Sequence, residues 1–230
     1  GDDVFRNSEP SYAEIVLIRH GETDWNKDRI FQGQLDVELN HVGRQQALAV
    51  AERLSMEPKI SAVYSSDLRR ASETAEIIAR HCGVPMVNKD PNLRERHCGD
   101  LQGLPYHKAA KAKPHSFKAF LSKQGDQEIP GGGESYNQLY DRCTTALEAI
   151  AKRHVGERIA VVSHGAAMET LHRRGAPTGG SSSGGTKIVN TSVNVLHVSP
   201  NGRWSIESWG DVSHLKQQQG EGRRSAFGGD

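Results

Sequence analysis

The chain has almost no net charge. Its 29 basic and 28 acidic side chains leave +1 over 230 residues, so no whole-molecule field draws in a polyanion, and nucleic acid and anionic membranes are excluded as bulk electrostatic partners. Cysteine is scarce: Cys82, Cys98 and Cys143 form no C-x-x-C pair and their number is odd. That argues against a disulfide framework or a cysteine-based zinc site and fits a reducing compartment. No apolar run approaches the ~18 residues of a membrane span. Residues 1–10 are polar and lack a signal-peptide core. The expectation is a soluble cytoplasmic protein, with a chloroplast location left open for a chain that has lost a transit peptide. There is no H-E-x-x-H motif, no carboxylate cluster at ligand spacing and no internal repeat, so neither a metal nor another cofactor is expected.

What is present suits an α/β protein. The hydrophobic share is 35%, and the 24 glycines raise the apolar fraction to about 45%, enough for a core at this length. Ile15 to Ile18 is a fully apolar, β-branched run, the pattern of a parallel strand buried on both faces. Further strands are predicted at Ile60 to Tyr64, Pro85 to Val87, Arg158 to Val162, Val189 to Val198 and Trp204 to Trp209. Helices are predicted over Asn40 to Ser55, Asp67 to His81, Glu134 to His154 and His164 to Arg174. The alternation implies a single doubly wound, mostly parallel sheet with helices on both faces and a final antiparallel hairpin turning at Pro200-Asn201-Gly202. Residues 14–215 would form the domain, 104–133 a partly helical insertion over the active site, 1–13 a flexible N-terminus and 216–230 a disordered tail. Gly175 to Gly185 reads as a flexible connector. Its glycines and Lys187 lack the spacing of a phosphate-binding loop.

Ligands of such sheets bind at the C-terminal ends of the strands. Arg19-His20-Gly21 and Ser163-His164-Gly165 each put a histidine there. Ser66-Asp67-Leu68-Arg69-Arg70 follows a third strand, and Leu93-Arg94-Glu95-Arg96 follows a fourth. Four segments thus deliver two histidines, several arginines and one glutamate to one sheet edge, a combination suited to a phosphate. His97 is a candidate supporting residue, and the remaining histidines read as structural. Cys98 also reads as structural. Asn190-Thr191-Ser192 matches a glycosylation acceptor with no use inside a cell. The insertion has five lysines and no acid between Asp100 and Asp126, which fits either a cationic lid or a solvated helix face.

Arg19-His20-Gly21-Glu22-Thr23 with Trp25-Asn26 resembles the R-H-G-E-[ST]-x-W-N signature of the histidine phosphatase superfamily, the phosphoglycerate mutase-like proteins. Four further motifs follow in that family's order: Phe31-Gln32-Gly33 with Asp36, Leu39 and Gly43; Ser66 to Ala71 with Thr74-Ala75; Leu93 and Glu95 with Gly99 and Gly103; and Ser163-His164-Gly165. The segment from His154 to Leu215 is similar to plant phosphoglycerate mutase-like proteins.

The resemblance implies that His20 is the nucleophile and forms a phosphohistidine, that Arg19, Arg70 and His164 hold the equatorial oxygens, and that Glu95 is the general acid and base. It also implies Thr23, Asn26, Gln32, Gly33 and Gly165 around the phosphate. Arg70 rather than Arg69 is chosen because it directly precedes Ala71 in the motif. The mutase branch has an arginine pair in the insertion, a Tyr near position 98 and an Asn after the second His-Gly. Here no arginine lies between Arg96 and Arg142, and Cys98 and Ala166 occupy the other two places. A metal-independent phosphomonoesterase acting on a small anionic metabolite is therefore expected ahead of a mutase or a non-catalytic phosphate-binding protein. A homodimer is compatible with the sequence.

Overall fold

In the computed structural model Ile15, Val16, Leu17 and Ile18 are all fully buried, as a strand covered on both faces requires. The structure describes residues 11–177 and 187–218. Most of the expected flexible connector (178–185), the first ten residues and the tail beyond residue 218 lie outside the described residues.

Among the described residues six strands form one sheet: β1 (Ala13–Arg19), β2 (Ala62–Ser65), β3 (Val87–Lys89), β4 (Arg158–Ser163), β5 (Val193–Val198) and β6 (Trp204–Asp211). Their order is β3-β2-β4-β1-β5-β6. The first four are parallel, and β5 and β6 add the antiparallel hairpin. Helices α2 (His41–Ser55) and α3 (Arg69–His81) cover one face, and α6 (Tyr136–Arg153) and α7 (Gly165–Gly175) cover the other. Alternation in the strands serves both layers: Val16, Ile18 and Val162 pack with Val50, Leu54 and Ile78, while Ile15, Leu17 and Val161 face Leu147, Ile150 and Leu171.

Several boundaries differ from those expected. β3 lies at Val87–Lys89 rather than from Pro85, since proline has no N–H to give to a ladder. α3 starts two residues late because Ser66 Oγ accepts from Leu68 N at 3.2 Å and Asp67 is held by Arg94. α6 starts at Tyr136, where Ser135 and Gln138 close a capping box. β5 starts at Val193, because Asn190 to Ser192 curl beneath β1 instead of extending. The expected N-terminal segment, residues 1–13, overlaps β1, in which Ala13 is buried. The expected tail begins inside a 3-10 turn, Ser213–Gln218. The helix α1 (Asp24–Lys27) was not anticipated.

The insertion forms α4 (Tyr106–Ala112) and α5 (Pro114–Leu121) around its own small core. There Phe31, Leu101, Ala109 and Ile129 are buried against Tyr106, Phe117 and Phe120. Through Phe31 it rests on the chain next to Gln32 and Gly33.

The 3-10 turn is tied to the body by His214. Its Nε2 donates to Thr191 O at 2.9 Å, and its Nδ1 accepts from Arg53 Nη1 at 3.2 Å, since a guanidinium can only donate. Burial and the Arg53 charge push His214 down to about 4, against smaller opposing effects of the Thr191 carbonyl, Asp211 and Glu57. The unfolded chain therefore takes the proton first. His214 costs the fold nothing above the ordinary histidine range, and stability is lost as pH falls from about 6.5 toward 4. Denaturant titrations of wild type and His214→Gln across that window should show a shallower acid loss in the variant. Parallel curves would reject the linkage.

Candidate active site

β1 and β4 are adjacent, and their register pairs Arg19 with Ser163. The next residues, His20 and His164, therefore emerge at one level, and their ring centroids lie 5.0 Å apart. His20 is fully buried, and its Nδ1 donates to Gly21 O at 2.6 Å. That bond puts a proton on Nδ1, so in the neutral ring the lone pair is on Nε2, the form a nucleophile needs. His164 Nε2 hydrogen-bonds Ser66 Oγ at 2.8 Å, which links the ends of β4 and β2.

Both arginines are fully buried. Arg19 Nη1 donates to Ile188 O at 2.6 Å, and Arg70 donates to Gly33 O and Leu35 O, each at 2.7 Å. Carbonyl acceptors orient a guanidinium without cancelling its charge. Gly33 has a φ of +54°, and this left-handed conformation lets its carbonyl turn toward Arg70. Arg69 faces solvent at 60% exposure and pairs with Glu38, so the buried member of the two is Arg70.

Glu95 lies at the N-terminus of α7. Its Oε1 accepts from Ala167 N at 3.0 Å and Arg96 N at 2.8 Å, and its Oε2 accepts from Ala166 N at 2.9 Å. A carboxylate suits a helix N-terminus, where the backbone N–H groups lack intrahelical partners. These contacts bring Glu95 beside Gly165 and His164 although about 70 residues separate them in sequence.

Thr23 and Asn26 build the capping box of α1. Thr23 Oγ1 also donates to Gln32 Oε1 at 2.7 Å, which joins this turn to the Gln32-Gly33 loop. The Gln32 amide nitrogen is buried without a hydrogen-bond acceptor. It is a donor suited to an anion in this loop. His97 serves its own loop: its Nδ1 accepts from Gly99 N at 3.0 Å.

Three supports of the site were not read from the sequence. Asn190 Nδ2 donates to His20 O at 2.9 Å and Thr191 N donates to Arg19 O at 2.8 Å. Asn190 and Thr191, noted in the sequence only for a glycosylation-type spacing, thus brace the backbone at Arg19 and His20. Arg142 and Glu134 enclose the loop carrying Glu95. Gln34 Nε2 donates to Glu95 O at 3.2 Å while Gln102 Oε1 accepts from Gln34 N at 2.9 Å. A run of polar residues directly before an apolar strand was the available sequence signal for the first of these. Among the described residues no cluster of three or more His, Cys, Asp and Glu is placed to hold a metal ion. No described helix is long and apolar enough to cross a membrane. Burial pushes the Cys143 thiol up to about 12, so it packs as a core residue.

A doubly wound sheet that presents paired histidines, buried arginines and a glutamate at its carboxyl edge has the charge and donors to hold a phosphate group. Residues 15–212 match the histidine phosphatase superfamily (branch 1), and the chain belongs to that family. It is 56% identical to phosphoglycerate mutase-like protein 4 of Arabidopsis thaliana over 98% of this chain and 96% of that one. It is 52% identical to the metal-independent phosphoserine phosphatase of the same plant, over 90% and 85%. Among solved structures, a phosphoserine phosphatase from Entamoeba histolytica in complex with phosphoserine superposes with a TM-score of 0.71 at 26% identity. That match covers 88% of this chain and 99% of the other.

Proposed function

We propose that the chain is a metal-independent phosphomonoesterase that hydrolyses a small phosphorylated metabolite through a phosphohistidine at His20. The observation that carries this reading is the juxtaposition of His20, held as the Nδ1–H tautomer, with His164 at 5.0 Å. The Nε2 lone pair forms an N–P bond as the P–O bond to the leaving group breaks. Arg19, Arg70 and His164 hold the equatorial oxygens, with Gln32 and Asn26 as neutral donors. Glu95 gives its proton to the departing alkoxide. Water then attacks the phosphohistidine and returns a proton to Glu95, which releases phosphate and restores the imidazole. Full burial of His20, Arg70 and Glu95 strengthens each of these interactions relative to water.

Hydrolysis is favoured over phosphate return to a bound product because the insertion has no arginine to anchor a second phosphate. The relative named as a phosphoserine phosphatase makes phosphoserine the first substrate to test. The three free cysteines suit a reducing compartment. In a screen of phosphoserine, other phosphorylated acids and sugar phosphates, phosphate release should be unchanged by excess EDTA. Loss of turnover in EDTA would reject the mechanism, and isomerised product without free phosphate would turn the assignment to a mutase.

A further inference from the structure

We infer that Arg142 and Glu134 form a positioning pair that sets the place of Glu95, an inference that rests on the acid–base role proposed for that residue. Arg142 lies on α6, whose Leu139 and Cys143 are buried in the main core, so its backbone is anchored. Its guanidinium spends five donors on five acceptors. Nε and Nη2 meet Glu134 Oε2 and Oε1 at 2.9 and 2.7 Å, Nη1 reaches Asn92 O at 2.9 Å and Arg94 O at 2.8 Å, and Nη2 also reaches Glu95 O at 3.2 Å. One rigid fork therefore collects three carbonyls of the loop that carries Glu95.

Glu134 completes the enclosure. Its Oε1 accepts from His97 N at 2.8 Å, its own N–H donates to His97 O at 2.9 Å, and its carbonyl accepts from Arg96 Nε at 3.0 Å. Both side chains are largely buried, at 17% and 18% exposure. An exposed ion pair contributes little, but this one is bidentate and tied to backbone on both sides of Glu95. The Glu95 carboxyl group is seated at the N-terminus of α7, and the side chains of the pair hydrogen-bond to the main chain of its loop. The pair acts through the main chain. A lysine has neither the fork nor the five donors to substitute, and a displacement of the order of 1 Å at a proton-transferring group costs about a hundredfold in rate.

The consequence is selective. An alkoxide leaving group needs the proton of Glu95, whereas a nitrophenolate departs without one. The test measures kcat/KM, which covers only the steps up to leaving-group departure, for phosphoserine and for 4-nitrophenyl phosphate. Arg142→Lys and Glu134→Gln should each lower kcat/KM for phosphoserine by roughly 10- to 100-fold and that for the aryl phosphate by less than about threefold. The retained aryl activity certifies that the variants fold. Glu95→Gln is run beside them and should show the same selectivity more strongly. Equal losses on both substrates in the pair variants would overturn the inference, as would selectivity in Glu95→Gln without any in the pair variants. Absence of selectivity in Glu95→Gln itself would reject the proposed role of Glu95, and the inference with it.

Discussion

His20→Ala should lower phosphate release by about 10⁴-fold or more, since removal of a covalent nucleophile leaves only binding and electrostatic assistance. The imidazole is placed by three independent contacts: its own Nδ1 bond to Gly21 O, the Asn190 bond to its carbonyl and the Thr191 bond to the preceding carbonyl. None of these passes through the ring's Nε2, so the alanine variant keeps both backbone braces. Its thermal unfolding midpoint should accordingly stay close to wild type, separating lost chemistry from lost structure. A second readout is the intermediate itself. Wild type quenched with base during turnover of labelled substrate should retain acid-labile, base-stable phosphate, and the variant should retain none. Turnover within tenfold of wild type in His20→Ala would end the assignment.

Gly43→Ala should be strongly destabilising for so small a substitution. A Cβ at Gly43 would lie 2.1 Å from Glu22 O, and one at Gly21 would lie 2.4 Å from Gly43 O. The two glycines let the first turn of α2 press directly on the loop that follows His20. Both contacts are backbone to backbone, so no rotamer change relieves them. Either α2 retreats, opening the layer built on Val50 and Leu54, or residues 20–22 move and take His20 along. The expected cost is about 3 kcal/mol of stability, or roughly a 10 °C fall in unfolding temperature for a chain of this size. A fall of about a hundredfold in kcat/KM should accompany it. A variant with wild-type melting and kinetics would show that the contact yields freely.

Much of the site was legible because its chemistry sits on short local signals. His20 and His164 each follow a buried strand directly, and parallel neighbours in register bring such residues together whatever intervenes. Arg70 was distinguishable from Arg69 by its place before Ala71, and helix geometry gives the two opposite surroundings. Thr23 and Asn26 were expected at the phosphate; their side chains cap α1, and their closeness to Gln32 follows from that cap. The braces were hidden for a different reason. Glu134 is an ordinary charged residue at a helix start and Arg142 one within the helix, and Asn190 and Thr191 fall in a stretch read as the start of a strand. A charged residue becomes a clamp only when a distant loop presents carbonyls to it, and no periodicity records that event.

The sequence by itself therefore determined the class of fold and the order of the layers and pointed to the candidate site residues, because burial periodicity and strand-end motifs are short-range properties of the chain. The near-zero net charge gave no whole-molecule field for a polyanion while leaving room for the local positive group of Arg19 and Arg70. Only the tertiary structure decided how those groups are aimed. The tautomer of His20, the seating of Glu95 on α7, the contact of Gly21 with Gly43 and the grip of Arg142 on the Glu95 loop all depend on hydrogen bonds and van der Waals limits between segments far apart in sequence. Such contacts are effective to a fraction of an ångström, and only the packed sheet and its helices set distances that finely.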